Sequence, residues 1–166
     1  MFEDFERLGG SLKINGVKIK GRDFSGVDCR GHSFRGMESY DANFSNGNLT
    51  DVDFNKVWFI GVNFSGANLL RAILSNATLN LCDFTSANLT QVNLANSRLN
   101  FSSCAGAIFK GAVLENTELR QVDLTDVDFT NSYLRKANFF EANLTGADFT
   151  NADLTGATMP DGTIHD

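Results

Sequence analysis

Large apolar residues recur in this chain at every fifth position, in one phase that holds from Phe24 to Met159. Of the 28 centres so defined, 11 are Phe and 13 are Leu; Cys29, Ser39, Cys104 and Met159 fill the rest. The chain carries 32 Phe and Leu in all, so 24 of them share one phase in five, far beyond compositional chance. Two places before each centre stand small residues, among them 12 Ala and 7 Val, and the place between holds 8 Asp and 8 Asn. No residue is inserted or lost anywhere in this span.

A period of five fits neither a helix of 3.6 residues per turn nor a strand of period two held over any length. Within one repeat, however, the small residue and the centre lie two apart, so an extended segment points both side chains the same way. The Asp or Asn between them then points outward. The two residues after the centre are Ser, Thr, Gly, Asn or charged, which is the chemistry of a tight turn. Each unit is thus a short extended piece followed by a corner. Successive corners of one hand wind the chain into a solenoid whose coils stack about 4.8 Å apart, with Phe and Leu on the axis.

Segments such as ANLTG, ADFTN, ADLTG and ANFSN resemble the pentapeptide-repeat family, whose motif is A(D/N)LXX. The resemblance implies an all-β fold, a right-handed quadrilateral parallel β-helix of about seven coils with four pentapeptides each. Under that register, centres twenty residues apart stack. Phe24, Phe44, Phe64 and Phe84 form one column, continued by Cys104, Leu124 and Leu144, and Phe109, Phe129 and Phe149 form another. Gly47, where Ala or Val is usual, is expected to leave a small gap.

Three segments follow. Residues 1–10 read as an N-terminal helical cap, with Phe2, Phe5 and Leu8 on one face, acidic residues in the first turn and Gly9-Gly10 ending it. Residues 11–160 are the repeat solenoid, whose first units, from Leu12, carry Ile and Lys in atypical places. The coil over residues 22–41 is degenerate, with Arg22, His32 and Met37 at small-residue positions and Ser39 at a centre. A polar group in a dry core is costly unless bonded, so this coil is expected to be partly wetted or touched by the cap. Residues 161–166 are a C-terminal tail after Pro160, short enough to leave the last coil thinly covered.

Charge and chemistry narrow the function. The net charge is −6, against the basic footprint that nonspecific nucleic-acid binding needs. The cysteines, Cys29, Cys82 and Cys104, all fall on core phases and read as packing rather than as metal or redox groups. The acidic N-terminus has no secretory signal pattern, and no stretch has the length of a membrane span. The expectation is a cytoplasmic protein that binds no nucleic acid directly and no membrane. There is no nucleotide loop, zinc motif or nucleophile elbow, and His32 and His165 lie at opposite ends of the repeat. No catalytic, cofactor or metal site is expected.

The residues that break the pattern outward are the informative ones. Under the four-repeat register Tyr40, Trp58, Ile60, Leu81, Phe101 and Phe140 fall on one side of the coil. Tyr40 stacks beneath Ile60, and Leu81 beneath Phe101. Aromatic residues are enriched at interface centres. These six are candidates for a protein-binding patch, with ordinary surface variation and self-association as the other readings. The expected function is a non-enzymatic interaction or scaffold module for an unknown protein partner. A homodimer through an exposed face or the thinly covered C-terminal end is the other association considered. The family resemblance adds one alternative, the quinolone-resistance group of DNA mimics that bind DNA gyrase. Against it stand the modest charge, the scattered Arg and Lys, and the lack of a counterpart to that group's C-terminal dimerisation helix.

Overall fold

A computed structural model describes residues 18–166. The cap expected over residues 1–10 and the start of the repeat at Leu12 lie outside the described residues.

The chain forms a parallel β-helix. Strands β1 (Lys18–Lys20), β2 (Glu38–Tyr40), β3 (Trp58–Ile60) and β4 (Thr78–Asn80) pair in parallel in sequence order, each displaced by twenty residues from the last. Beyond them the same displacement continues as single bridges, such as Thr78 with Arg98 and Asn138 with Thr158. Bridges from the other sides of the coil, Asp23 with Asn43, Asp28 with Asn48 and Ser33 with Asp53, show that one turn holds four repeats.

The repeat chemistry follows from accounting for backbone donors, since a buried N–H left unpaired is costly. Take the five consecutive N–H groups from Asn43 to Gly47. Asn43 donates back to Arg22 O at 2.9 Å; Phe44 and Asn46 donate forward to Asn63 O at 2.7 Å and Ser65 O at 2.9 Å. Gly47 closes the corner onto Phe44 O at 3.1 Å. Ser45, whose N–H lies in the corner, donates to the Asn43 side chain, Oδ1, at 3.0 Å. All sixteen Asp and Asn that precede a centre between Asp23 and Asp153 accept the N–H two residues on in this way. Their abundance is therefore more than outward polarity. Each is a local cap that offers the corner N–H an acceptor the ladder does not supply.

The second residue after the centre has a left-handed backbone at every corner, from Gly21 (φ 56°) to Gly156 (φ 73°). Side chains at these corners lean along the rod. A Cβ on Gly61 would come within 2.6 Å of Asp41 Oδ1, so here glycine answers a close approach as well as a positive φ.

Inside, the expected columns are present. Phe24–Phe44, Phe44–Phe64 and Phe64–Phe84 stack with ring centroids 4.9, 5.5 and 5.0 Å apart, and Phe109–Phe129–Phe149 at 5.2 and 5.1 Å. Phe54 and Phe139 meet neighbouring columns edge-on. Each buried Phe or Leu contributes about 1.5–3 kcal/mol of apolar transfer.

Two details depart from the sequence reading. Gly47 leaves no gap, because Val27 Cγ1 lies 3.4 Å and Phe44 O 3.0 Å from where its Cβ would stand. In the coil over residues 22–41 Arg22 is exposed and Phe24 and His32 are half-buried, as expected of a partly wetted coil, but Ser39 is fully buried and its Oγ has no hydrogen-bond partner among the described residues. The short tail folds onto the last coil. After Pro160 it turns back, so that Thr158 and Ile164 form an antiparallel bridge, Gly156 donates to His165 O at 2.7 Å, and His165 donates to Ala157 O at 2.8 Å. Leu144, Phe149, Leu154 and Met159 stay half-buried at that end.

Leu99 is wholly buried, so Leu99→Asp places a carboxylate in a dry core and is expected to abolish cooperative folding or drive aggregation. Asn88→Asp keeps the acceptor for Thr90 N and loses only the 3.0 Å bond from Asn88 Nδ2 to Asn68 Oδ1, at a cost of about 1 kcal/mol. Thermal unfolding of the two variants checks this; equal melting temperatures would overturn the inward and outward assignment.

The caps also set an acid limit. Asp148 is held below its ordinary value chiefly by the Thr150 hydroxyl, and Asp23 chiefly by Ser25 N–H. A carboxylate depressed in the folded state stabilises above its unfolded pKa, and that stabilisation is lost as pH falls through the folded pKa. Stability should therefore decline below about pH 4. Asn at the same positions accepts the N–H without titrating. An Asp23→Asn, Asp148→Asn variant should lose less melting temperature than the parent between pH 6 and pH 3, and an unchanged difference would count against the caps as the cause.

Candidate protein-interaction face

The side of the coil that carries β1–β4 differs from the other three. Its outward column before the centre runs Glu38, Trp58, Thr78, Arg98, Glu118, and no Asp or Asn cap stands there until Asn138. Large side chains take the place of caps. Tyr40 pairs with Ile60 across β2 and β3, and Trp58 lies on the same strand as Ile60, two residues away and on the same face. Leu81 follows Asn80 at the corner, one coil above Gly61, and Phe101 stands one coil above Leu81, joined by the Leu81 N–H to Asn100 O at 3.1 Å. Tyr40, Trp58, Ile60, Leu81 and Phe101 thus form one diagonal stripe. Trp58 is 48% exposed, Leu81 59% and Phe101 56%, while Ile60 is half-buried.

Phe140 does not join them. Asn80, Asn100 and Arg120 separate it from Ile60 in its own column. The Arg120 guanidinium lies 5.2 Å over its ring, and the ring reaches toward Gly162 in the returning tail. It packs the C-terminal end rather than extending the stripe.

Leu81 and Phe101 break a second rule. Among the described residues eighteen non-glycine residues have positive φ; nine are Asp or Asn, seven are other polar or charged residues, and only Leu81 (φ 60°) and Phe101 (φ 64°) are apolar. The left-handed region favours Gly, Asn and Asp, and a bulky apolar residue there is strained. Sequence reading found both residues by phase but could not see the strain.

Charge divides the molecule as well. On the side holding Asp23, Asp83 and Asp123, with Asp126 at its corner, the outward positions from Asp23 to Gly146 carry no Lys or Arg. The ion pairs among the described residues lie elsewhere: Lys18–Glu38, Arg30–Asp28, Arg35–Asp53, Arg71–Asp51 and Arg135–Asp153.

The groups that could suggest chemistry are quiet. His32 is half-buried with Nδ1 3.0 Å from Arg30 O and its ring against Phe34. Burial pushes the Cys29 thiol up to about 11, the Cys82 thiol up to about 12 and Cys104 higher, so all three stay protonated and pack as apolar groups. No helix among the described residues is long and apolar enough to cross a membrane.

No curated protein matches the chain. Among solved structures it is similar to a pentapeptide repeat protein of the Arabidopsis thaliana thylakoid lumen, at 30% identity over 71% of this chain and 77% of that one, with a TM-score of 0.48. It is also similar to QnrB1, a plasmid-mediated fluoroquinolone resistance protein, at 23% identity over 86% and 72% with a TM-score of 0.48. A third is HetL of the cyanobacterium Nostoc sp. strain PCC 7120, involved in heterocyst differentiation regulation, at 21% identity over 99% of both chains with a TM-score of 0.33. The family model for pentapeptide repeats matches residues 23–57, 48–85, 87–126 and 123–159. With nearly all of the described repeat matched, and with the twenty-residue register and its sixteen caps in place, the chain belongs to the pentapeptide-repeat family.

Proposed function

We propose that the protein is a non-enzymatic interaction module of the cytoplasm: a rigid right-handed rod that presents the stripe Tyr40, Trp58, Ile60, Leu81 and Phe101 to a protein partner. The observation that carries this reading is the pair Leu81 and Phe101. Both are bulky, apolar and more than half exposed, they are stacked on adjacent coils, and both hold a strained left-handed backbone. Folding alone favours Gly or Asn at such a corner. Strain kept where a polar residue would be easier is the mark of a site retained for contact.

Replacing both by glycine separates stability from function. A Leu81→Gly, Phe101→Gly variant should melt at or above the parent temperature, since glycine relieves about 1 kcal/mol of strain at each corner. The same variant should lose the partner, because exposed aromatic anchors dominate binding energy. Melting curves together with affinity capture check both halves. A variant that retains every interaction of the parent would overturn the reading, and one that melts well below it would make these residues structural.

The second reading, a DNA-mimicking modulator of DNA gyrase, is favoured by the side whose outward positions from Asp23 to Gly146 carry only acidic charge, Asp23, Asp83, Asp123 and Asp126. A supercoiling assay with purified gyrase decides between them. The interaction-module reading expects no effect at low micromolar protein, and inhibition or protection there would establish the alternative.

A further inference from the structure

We propose that the occupant of the aromatic stripe is a second copy of this chain, packed antiparallel across a two-fold axis that runs along the strands at Thr78–Asn80. The inference rests on the interaction-face reading above and names its partner. Rotation about such an axis keeps each column opposite itself and inverts the order of the coils, giving an isologous contact. Using the twenty-residue register, the column holding Trp58, Thr78 and Arg98 then sets Trp58 against Arg98 of the second copy. Tyr40 meets Arg120, and Phe101 meets Gly61 with Ile60 beside it. Leu81 meets Leu81.

Each exposed apolar residue of the stripe thereby gains a partner of fitting chemistry. Arg98 is exposed, stands on the same face and has no ion pair among those of the described residues. A guanidinium over the face of Trp is the favoured cation–π pair. Arg120 is already held against one aromatic ring, Phe140, at 5.2 Å, which fixes its guanidinium at this surface within reach of Tyr40. Gly61 has no side chain of its own, so the opposing Phe101 ring meets Ile60 and the Asp41 carboxylate, whose Oδ1 leans along the rod to the place where a Cβ on Gly61 would stand.

The symmetry brings one like-charged pair together, Glu38 opposite Glu118, and both carboxylates are already engaged. Glu38 is paired with Lys18 at 2.7 Å, and Glu118 accepts Asn138 Nδ2 at 3.0 Å. The face from Lys18 to Asn138 spans six coil spacings of about 4.8 Å, roughly 29 Å, and is only a few residues wide. That area falls at the low end of specific interfaces, so the dimer is weak and reversible, in the micromolar range.

The test uses the full chain, by sedimentation equilibrium over a range from about 1 to 300 µM chosen to bracket such an affinity. The expected result is a mass rising toward twice the 18.1 kDa chain, with emission from the single tryptophan, Trp58, shifting to the blue in step. Thr78→Cys, on the axis, should form a disulfide dimer under mild oxidation, while Asn138→Cys, which the axis sends far from its own copy, should not. The native thiols Cys29, Cys82 and Cys104 are buried and give no background. Leu81→Gly, Phe101→Gly should weaken association by about tenfold or more.

A mass that stays at one chain with constant Trp58 emission would overturn the proposal. So would crosslinking of Asn138→Cys as readily as Thr78→Cys, the result of parallel or end-to-end packing. A monomer that captures another protein, and loses it on Trp58→Ser, Phe101→Ser substitution, sinks the second copy alone. A monomer that captures nothing through this stripe sinks the interaction-face reading with it.

Discussion

Everything in this molecule depends on one backbone constraint, a residue in the left-handed conformation at every fifth position. That residue turns the chain through each corner, and four corners return it to a point one coil further along the axis, so the N–H and C=O groups meet those of the neighbouring coil. The rest of the repeat supports the corner. Asp or Asn ahead of the centre accepts the one N–H that the ladder leaves over, the small residue lets the chain pass close beneath the next ring, and Phe or Leu fills the axis. Stacking then supplies most of the stability, because the aromatic columns bury large apolar surfaces that no single repeat could bury alone.

The same constraint explains where function is to be sought. Among the described residues the axis is filled by Phe, Leu and small side chains, and the thiols buried with them stay protonated. What varies is the choice of side chain at outward positions that the fold leaves free. At Leu81 and Phe101 that freedom has been used against the local preference of the backbone, and at the side led by Asp23 it has been used to exclude positive charge. These two departures from uniformity, one apolar and one electrostatic, give the rod sides of distinct character.

Much of this was legible in the sequence. The phase of Phe and Leu fixed which residues lie on the axis, and the aromatic columns follow from adding twenty. Five of the six residues singled out for the patch do lie along one stripe. Other features required coordinates. Asp and Asn ahead of the centre read only as outward polarity, because a hydrogen bond to the residue two places on leaves no trace in periodicity. Phe140 shares a side with Trp58 but is engaged by Arg120, a contact across coils that a pattern of five cannot show. Ser39 looked wetted because a polar residue usually is; it is fully buried instead.

The twenty-residue register has a consequence for how such a chain can change. Loss of a single residue would carry every later side chain out of phase, sending Phe and Leu to the surface. Loss of five would keep the axis intact but rotate all that follows by one side, parting Leu81 and Phe101 from Trp58. Loss of twenty would remove one whole coil and leave each side aligned with its own continuation. The length of the rod is therefore free to vary in steps of one coil, while the pattern displayed along any side is protected from every smaller step.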